Sequence, residues 1–515
     1  MKKFAALLII ITNICQAQLN LKWGSYITLE HPAINEEHQD YADFGFSLSG
    51  IDNDLIIGAP SYILPSSVIE AGAIFRVHSA EVGMVKPLGF SGPNLRYSQL
   101  DFNGSTPESS DRFGQSVAVH ATGPDTIKVI IGVPFESIGN VSSAGMINEM
   151  NYDLFGGPIN YAGFHQGMSD INGTANEFDN FGHDVELGDF DGDGSIDAAI
   201  GVPFEDITDI NGTGAVNIIM GGELGILTTA GDQIWTQATP GINGSLDEDD
   251  NFGFALSAGD FNGDGKSDLA IGVPGDSPDS ESQAGSVNVL YGSVSGLSAT
   301  NNQLWNQNSS GVIGSSESGD KFGRSLTSGD FNGDGYDDLA IGVPFESVSN
   351  NTAFSAGAVN VLYGSSAGLT AENDLFISQA EPGFGGAAET QDFFGFVLEV
   401  GNFNNDPYED LIIGIPFEDI GDVTDAGSVV IVHGSENGLQ FDDEVFLDEG
   451  DFNTPTGIAA NRRFGWALAA GDFDNDSKDD LAISTYPIEN TELSREAVIV
   501  AYQFDHDLIF ENGME

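Results

Sequence analysis

Residues 252–274 read FGFALSAGDFNGDGKSDLAIGVP, and this stretch contains the motifs that decide the fold. A Phe-Gly pair begins it, a Gly-Val-Pro ends it, and an acidic nonapeptide, residues 260–268, lies between them. The nonapeptide carries oxygen-bearing side chains at positions 1, 3, 5 and 9. Because alternate residues of a short loop point inward, this spacing suits Ca²⁺, which takes about six to eight oxygen ligands.

The nonapeptide occurs five times on one template. Positions 1, 3, 5 and 9 offer side-chain oxygens, and position 7 can add its backbone carbonyl. The five predicted ligand sets are Asp189, Asp191, Asp193, Ser195 and Asp197; Asp260, Asn262, Asp264, Lys266 and Asp268; Asp330, Asn332, Asp334, Tyr336 and Asp338; Asn402, Asn404, Asp406, Tyr408 and Asp410; and Asp472, Asp474, Asp476, Lys478 and Asp480. Asp, Asn and Gly also form turns that bind no metal. Five copies with the same ligand positions nevertheless favour up to five bound Ca²⁺.

These loops differ from EF-hands, which need a bidentate Glu at position 12 and a helix on each side. Position 12 of the first copy is Ile200, and the run that follows the loop, AAIGVP, is apolar. The loops are therefore predicted to join strands.

The Phe-Gly pair marks a longer repeat. It recurs at 68–72 residue intervals, at Phe44, Phe113, Phe181, Phe252, Phe322, Phe394 and Phe464. A Gly-x-Pro follows in six copies, and in the seventh it has decayed to STYP at residues 484–487. The chain is predicted to contain seven repeats of one unit.

Each repeat reads as strand, calcium loop, strand, variable loop, strand, turn, strand. The third strand alternates in polarity, as in residues 286–291, and residues 234–237 mark a short fourth strand. Four strands in about 70 residues, repeated without a helix, predict an all-β fold: a seven-bladed β-propeller of four-stranded antiparallel blades. Because a propeller must close its ring, we expect a strand from residues 19–29 to complete the last blade.

The Phe-Gly…Gly-x-Pro unit, with its Asp-x-[Asp/Asn]-x-[Asp/Asn]-Gly-x-x-Asp loop, resembles the FG-GAP repeat of the integrin α-subunit N-terminal β-propeller. The resemblance implies a seven-bladed propeller with Ca²⁺ in inter-strand loops on one face and partner recognition by loops on the opposite face. We expect no integrin-like stalk or membrane span after the repeats, so receptor signalling is not carried over.

The N-terminus predicts export. Lys2 and Lys3 precede the apolar residues 4–11, and Ala17 is a small residue at the expected cleavage point. Residues 1–17 are therefore predicted to be a signal peptide and residues 18–515 the propeller domain, secreted to an extracellular or periplasmic location. The only cysteine, Cys15, lies within that peptide, so we expect no disulfide in the mature chain.

Charge limits the partners. The chain has 79 acidic against 15 Lys and Arg residues, a net charge of −64. Nucleic acid and anionic membranes are therefore excluded as expected partners. No transmembrane segment is predicted, because no further stretch reaches about 18 apolar residues.

The blades are not expected to bind metal equally. Blade 1 keeps Asp54 at the closing position but lacks the loop, and blade 2 has Lys128 there, with Pro124 nearby. Both are predicted to exclude a cation. The Asn402 loop should be the weakest site, because it has only two carboxylates and carries Pro407 where three other loops have Gly.

We assign no catalytic residue. The GSSAG sequence at residues 364–368 matches a nucleophile elbow, but its serine is not maintained in other repeats, which indicates a hairpin turn. The Glu of the recurring Phe-Glu, such as Glu136, is expected to accept backbone N–H bonds at a strand end. A paired-carboxylate active site formed by two such glutamates across the channel is left open.

Two functions are compatible with the sequence. The favoured one is a calcium-stabilised adhesion or ligand-recognition module for an extracellular protein or glycan. It would use the variable loops at residues 206–214, 275–284, 347–356 and 419–426. The alternative is an extracellular glycan-active hydrolase or lyase built on the propeller. The sequence identifies neither the ligand nor the oligomeric state.

Overall fold

The computed structural model of the protein describes residues 25–27, 43–52, 54–63, 71–78, 96–102, 107–123, 126–153, 157–222, 225–348, 352–381, 386–441, 444–452, 454, 457–473, 476–486 and 497–501. These residues form seven four-stranded antiparallel sheets, which are the blades of a β-propeller. The predicted fold class is confirmed. The predicted signal peptide, residues 1–17, lies outside the described residues.

Blades 1 to 3 follow one another along the chain, with strands numbered in chain order. Blade 1 consists of β2 (Leu48–Ile51), β3 (Asp54–Ala59), β4 (Ala73–His78) and β5 (Arg96–Tyr97). Blade 2 consists of β6 (Val117–Gly123), β7 (Thr126–Val133), β8 (Met146–Asp153) and β9 (Gly157–Phe164). Blade 3 consists of β10 (Val185–Gly188), β11 (Asp197–Val202), β12 (Ala215–Gly221) and β13 (Leu227–Trp235).

Blades 4 to 7 repeat the pattern. Blade 4 consists of β14 (Leu256–Gly259), β15 (Asp268–Val273), β16 (Ser286–Ser293) and β17 (Gly296–Trp305). Blade 5 consists of β18 (Ser325–Gly329), β19 (Asp338–Val343), β20 (Ala358–Tyr363) and β21 (Thr370–Ile377). Blade 6 consists of β22 (Val397–Gly401), β23 (Asp410–Ile415), β24 (Ser428–Val432) and β25 (Val445–Asp448). Blade 7 consists of β26 (Leu468–Gly471), β27 (Asp480–Thr485), β28 (Ala497–Ala501) and β1 (Ser25–Ile27).

The first strand of every blade is the innermost one. Each first strand contacts the first strands of the two neighbouring blades, so that β2, β6, β10, β14, β18, β22 and β26 form a closed ring. They surround an axial cavity of about 590 Å³. The residues that follow each Phe-Gly pair therefore line a central channel.

The ring is closed by the N-terminal strand. β1 pairs antiparallel with β28, with Ser25 opposite Val500 and Ile27 opposite Val498. The expected strand from residues 19–29 is therefore confirmed as the fourth strand of blade 7. Because the first and last parts of the chain share one sheet, the closure needs no disulfide.

The second strand of each blade is covered on both faces. β15 (DLAIGV) and β19 (DLAIGV) are buried at every position, which explains their continuous apolar sequence. The phenylalanine of each Phe-Gly pair is fully buried as well. Burial of these side chains supplies the main stabilising free energy of the blades.

The two glycine motifs meet where one blade contacts the next. A Cβ atom added to Gly272 of blade 4 would lie 2.2 Å from the carbonyl oxygen of Gly323, the Phe-Gly glycine of blade 5. A Cβ atom added to Gly201 of blade 3 would lie at the same distance from the carbonyl oxygen of Gly253 in blade 4. Only glycine permits such close contact between two backbones. The decayed copy, Ser484, occupies this position opposite Gly45 where blade 7 meets blade 1.

Helical structure is minimal. The helices that the structure describes are 3₁₀ turns of three residues, Gln99–Asp101, Pro278–Ser280 and Glu449–Asp451. Among the described residues, no helix has the length and apolar character needed to cross a bilayer.

We predict that Gly272→Ala destabilises the propeller by about 2–3 kcal/mol, because the new methyl group has no space beside the Gly323 carbonyl. Urea unfolding at a fixed Ca²⁺ concentration measures the change. The control is Gly421→Ala: Gly421 has a φ of +64° but no atom within 4 Å of an added Cβ, so only backbone strain of roughly 1 kcal/mol applies. Equal effects of the two substitutions would contradict the proposed contact.

Candidate metal centres

The five acidic loops lie at one end of blades 3 to 7, where each joins the first strand to the second. The closing aspartate is the first residue of the second strand, as with Asp268 of β15 and Asp338 of β19. It pairs with the last glycine of the first strand, as Gly259 does with Asp268. The prediction that the loops join strands is confirmed.

Three carboxylates meet in the first loop. Asp189, Asp191 and Asp197 each offer an oxygen atom, and these atoms lie within 4.8 Å of one another. A single Ca²⁺ can bind three oxygens so placed, because its bonds to oxygen are roughly 2.3–2.6 Å long. Their chemistry and spacing therefore fit a hard divalent cation.

In four of the five loops, the aspartate at the first position fixes the turn. Asp260 Oδ1 accepts the N–H of Asp264 at 3.0 Å, and its Oδ2 accepts that of Gly265 at 2.8 Å. Asp189, Asp330 and Asp472 make the same two bonds in their own loops. The bonds draw position 5 towards position 1. Asp474, a predicted ligand of the last loop, lies outside the described residues.

The other predicted ligands surround this turn. Asn262 Nδ2 donates to both oxygens of Asp268, at 3.2 and 3.0 Å, so the amide must rotate to offer its oxygen to a cation. Lys266 Nζ lies 3.1 Å from Asp264 Oδ1 and competes with a cation for that oxygen. All five seventh-position residues donate their backbone N–H to the fifth-position carboxylate, namely Ser195, Lys266, Tyr336, Tyr408 and Lys478.

The closing aspartates are deeply buried. Burial raises the pKa of Asp197 to about 7 and the pKa values of Asp268 and Asp338 to about 8. Backbone N–H donors oppose this shift, whereas the acidic residues earlier in each loop add to it. A bound cation would favour the ionised form of these side chains, since an opposite charge lowers a carboxyl pKa.

The Asn402 loop departs from the others. Pro407 has no N–H to donate, and Asn402 Nδ2 instead donates to the carbonyl of Asp406 at 2.6 Å. Asn402 Oδ1 is left buried without a hydrogen-bond partner. His433 Nδ1 lies 3.2 Å from Asp410 Oδ2, at a position that Met or Tyr fills in blades 3 to 5. These contacts distinguish the Asn402 loop from the other four, and its rank as the weakest site stays a prediction.

Blades 1 and 2 use protein cations at the corresponding place. Asp54 Oδ1 lies 2.6 Å from Arg76 Nε. In blade 2, the fully buried Lys128 Nζ lies 3.9 Å from Glu149 Oε1. Burial lowers the pKa of Lys128, and Glu149 opposes that shift. These ion pairs support the prediction that the two blades exclude a metal ion.

Neighbouring loops are bonded in series. The Asp260 N–H donates to Asp337 Oδ2 at 2.7 Å, and the Asp337 N–H donates to the Asp260 carbonyl at 3.2 Å. Three further pairs exchange bonds in the same way, Asp189 with Ser267, Asp330 with Glu409, and Asn402 with Asp479. The five loops therefore form one hydrogen-bonded chain from blade 3 to blade 7.

The glutamates that follow Gly-x-Pro lie at the opposite end of the blades. Gln307 Nε2 donates to Glu346 at 2.6 Å, and Gln379 Nε2 donates to Glu418 at 2.7 Å. We expected backbone N–H donors, but glutamine side chains occupy these positions. Burial raises the pKa values of Glu346 and Glu418 to about 8, with acidic neighbours adding to the shift.

Sequence reasoning missed these glutamines. Each lies 14 or 15 residues before a Phe-Gly pair, at Gln99, Gln166, Gln237, Gln307 and Gln379. Alignment of the repeats on Phe-Gly would have revealed the position. A third position of the repeat is also acidic: an aspartate, such as Asp320 or Asp392, lies two residues before Phe-Gly.

The channel contains a different set of charged residues. Glu186 and Glu399 line it from blades 3 and 6, and burial raises the pKa of each to about 8. Arg324, directly after a Phe-Gly pair, lies with its guanidinium carbon 4.3 Å from the ring centre of Phe254. The glutamates of the Phe-Glu motif do not line this cavity, so they do not form the paired site that the sequence left open.

The comparisons with known proteins agree with this architecture. A family model for the FG-GAP repeat matches residues 252–290, 322–362 and 464–487. Integrin alpha-PS2 of Drosophila melanogaster is 30% identical over 247 residues, 47% of this chain and 16% of that protein. Integrin alpha-5 of Xenopus laevis is 30% identical over 240 residues, 45% of this chain and 20% of that protein.

A second kind of relative is similar over a shorter stretch. Phosphatidylinositol-glycan-specific phospholipase D of Bos taurus is 33% identical over 166 residues, 32% of this chain and 18% of that protein. The matched segments thus span between 16% and 20% of these three relatives.

We predict that the stability of the chelated protein falls as the pH rises from 5 to 8. Glu346 has a folded pKa of about 8, so the folded state keeps a proton that the unfolded state loses above about pH 4.5. Each such group contributes a slope of at most about 1.4 kcal/mol per pH unit. Glu346→Gln cannot titrate and should reduce the slope.

Urea midpoints in EDTA at pH 5, 6, 7 and 8 test this prediction. Glu372→Gln, on the exposed part of β21 in the same blade, is the control and should keep the wild-type slope. A wild-type slope in Glu346→Gln would show that Glu346 is ionised in the folded state.

Proposed function

Because the chain carries FG-GAP repeats, we propose that it is a secreted calcium-binding β-propeller that acts as an adhesion or ligand-recognition module. The main support for this proposal is that the two ends of the propeller differ. One end bears five acidic hairpin loops of uniform length. The other bears the unequal loops that follow Gly-x-Pro, which suits variation in what they bind.

Calcium is proposed to bind in the five loops through the predicted ligand sets. The convergence of Asp189, Asp191 and Asp197 supports this assignment. So does the burial of the closing aspartates, whose charge requires compensation. In this proposal the ions are structural, because they hold the turn between the first two strands of each blade.

The recognition face is proposed to consist of the loops at 206–214, 275–284, 347–356 and 419–426. These loops contact the connections that enter the next blade, as when the Asp249 N–H donates to the Asn211 carbonyl at 3.0 Å. Phe178 and Phe354 of this end are 61% and 59% exposed. Exposed aromatic side chains among polar loops are typical of surfaces that bind a partner.

The expected partner is an extracellular protein or a glycan. The lysines before the apolar N-terminal run support export, and the net charge of −64 disfavours anionic partners such as nucleic acid. The similarity to integrin alpha chains supports a role in adhesion.

The alternative is an extracellular glycan-active hydrolase or lyase. Glu186 and Glu399 favour it, because they line one cavity from different blades and a raised pKa suits a general acid. The similarity to a phospholipase D is also compatible with an enzyme. Release of product from a bound polysaccharide, lost in Glu186→Gln or Glu399→Gln, would support this alternative.

We predict that the purified protein holds up to five Ca²⁺ and that chelation lowers its melting temperature. Each site adds about 2.7 kcal/mol of stability at a hundredfold excess of Ca²⁺ over Kd. Asp338→Ala should remove one tightly bound ion, whereas Asp410→Ala should remove the weakest. Elemental analysis and calcium titration measure both effects.

The control for these variants is Asp170→Ala, which removes an exposed carboxylate outside the loops and should keep every ion. An unchanged melting curve in EDTA, with metal removal verified, would contradict the structural role of calcium. If Asp410→Ala removes one of the tightest sites, the ranking of the loops is wrong.

We predict that the protein binds, without cleaving, a component of an array of purified matrix proteins and polysaccharides. Phe354→Ala should weaken that binding by roughly tenfold, as expected for an aromatic anchor. Val294→Ala is the matched control. Val294 is 87% exposed, but it lies in the β16–β17 turn, where the Ser293 N–H donates to the Phe190 carbonyl at the calcium-loop end.

Equal binding by wild type and Phe354→Ala, together with weaker binding by Val294→Ala, would contradict the proposed recognition face. It would place recognition at the calcium-loop end of the propeller. Repeating the array in EDTA separates the two roles. Loss of binding together with unfolding indicates that calcium acts through stability.

A further inference from the structure

A ring of side chains surrounds the channel at its Phe-Gly end. The residue directly after each Phe-Gly pair lines the axial cavity, so every blade contributes one side chain to this ring, which we call the channel mouth. Five blades contribute an aromatic residue and blade 5 an arginine, in the order Phe46, His183, Phe254, Arg324, Phe396 and Trp466. All six are partly exposed, so a ligand that enters the cavity from this end contacts them.

The aromatic rings of the channel mouth hold Arg324. Its guanidinium carbon lies 4.3 Å from the ring centre of Phe254 and 5.5 Å from that of Phe396. The ring centres of Phe396 and Trp466 are 5.2 Å apart, and those of His183 and Phe254 are 4.8 Å apart. These contacts fix the flat guanidinium group by cation–π attraction, which uses none of its N–H donors.

Arg324 differs from the ion-paired arginines of the protein. Arg462 donates to both oxygens of Glu449, and Arg76 Nε lies 2.6 Å from Asp54 Oδ1. The side chain of Arg324 makes no hydrogen bond or ion pair with any residue that the structure describes. Its donors therefore line the cavity without a protein acceptor.

The acidic residue that acts on Arg324 is already engaged. Burial lowers the pKa of Arg324 to about 10, and Asp184 opposes this shift. Asp184 Oδ1 accepts the Val185 N–H at 3.0 Å, and its Oδ2 accepts the Leu256 N–H at 2.8 Å. Arg324 thus carries its charge at neutral pH and has no close counter-ion in the described part of the chain.

The glutamates of the cavity lie deeper than the mouth. Glu186 and Glu399 are three residues beyond His183 and Phe396 on their strands. Burial raises the pKa of each glutamate to about 8, so both keep a proton at pH 7 and repel an incoming anion only weakly. A protonated carboxyl group also donates a hydrogen bond to a hydroxyl oxygen. The cavity thus combines a positive charge at its mouth with neutral polar groups below it.

We propose that the channel mouth binds the carboxylate of a terminal sugar acid, such as a uronic acid residue at the end of a glycan. Arg324 supplies a planar fork of N–H donors, a geometry that matches a carboxylate. The neighbouring aromatic rings contact the apolar C–H face of the sugar ring. The cavity volume of about 590 Å³ lies within the range of small-molecule sites.

A single charge on an otherwise neutral glycan suits this protein best. The net charge of −64 repels a polyanion at long range, and one arginine compensates one carboxylate. An acidic side chain of a protein partner would reach Arg324 on a short stem and leave most of the aromatic surface uncovered. This site rests on the recognition function proposed above and deepens it by naming the class of ligand.

Isothermal titration calorimetry of the full chain in saturating Ca²⁺ tests the site with methyl β-D-glucuronide and methyl β-D-glucoside, which differ only in the carboxylate at C6. We expect one site that binds the glucuronide at least about tenfold more tightly than the glucoside, because only the glucuronide forms charge-assisted hydrogen bonds. Equal affinities, or no binding of the glucuronide by the folded protein, would overturn the proposal. Succinate is the third probe, and if it binds as tightly as the glucuronide, the assignment to a sugar is wrong.

Variants at the mouth supply the second measurement, with melting curves to verify that each is folded. Arg324→Gln should weaken glucuronide binding by at least about tenfold, whereas Arg324→Lys keeps the charge without the planar fork and should lose less. Arg112→Gln is the matched control, because Arg112 stacks on Phe135 at 5.2 Å but does not line the cavity. Wild-type affinity in Arg324→Gln would overturn the proposal.

The same titrations separate this site from the adhesion role. Glucuronide binding that Arg324→Gln removes, with no binding in the array of matrix proteins and polysaccharides, would contradict adhesion and support the site. Array binding that Phe354→Ala weakens, without any glucuronide binding, would overturn the site and support adhesion through the outer loops.

Discussion

The contact between two glycine backbones is the constraint on which the propeller depends. Gly272 of one blade lies against the carbonyl of Gly323 in the next, at a distance that excludes a side chain. The contact brings the blades close enough for the phenylalanine beside each Phe-Gly glycine to be fully buried. It also places both repeated motifs at one end of the blade. The other end is left free for hairpin loops, which can carry charge without disturbing the junction.

Charge compensation follows the same repeat. At the closing position of the first hairpin, Asp54 meets Arg76, and Lys128 replaces the aspartate and pairs with Glu149. His433 approaches Asp410 in blade 6. The remaining loops concentrate carboxylates, for which a bound ion is the proposed compensation. The fold thus uses one buried position in two ways, with a protein cation in some blades and an acidic loop in others.

Spacing alone was sufficient to predict the blades and their order, because both depend on residues near one another in the repeat. The closing strand joins the two distant ends of the described chain, and it was predicted from the need of a propeller to close its ring. The fourth strand was predicted less well. Residues 234–237 marked it as short, whereas β13 begins at Leu227, and a register irregularity between Ile218 and Met220 interrupts its pairing with β12. That irregularity and the polar residues within β13 conceal the strand pattern.

The contacts missed by sequence reasoning join distant residues. Gln379 and Glu418 are 39 residues apart. His433 directly follows β24, whereas Asp410 is the first residue of β23. Their meeting depends on how strands twist within a blade and on which loops fold towards each other. Alignment of the repeats identifies the glutamine position. That this glutamine donates to the glutamate of the Phe-Glu motif is known only from the structure.

The hydrogen bonds that join neighbouring loops form an open series, which begins at blade 3 and ends at blade 7. Five loops in series leave the loops of blades 3 and 7 with one bonded neighbour each, whereas the three between them have two. Blades 1 and 2 interrupt the series with ion pairs fixed in the chain. With calcium in the proposed sites, ion concentration would tune the stiffness of one arc while the other arc stayed rigid. The seven blades have nearly the same fold, but their response to calcium would then differ between the two arcs of the ring.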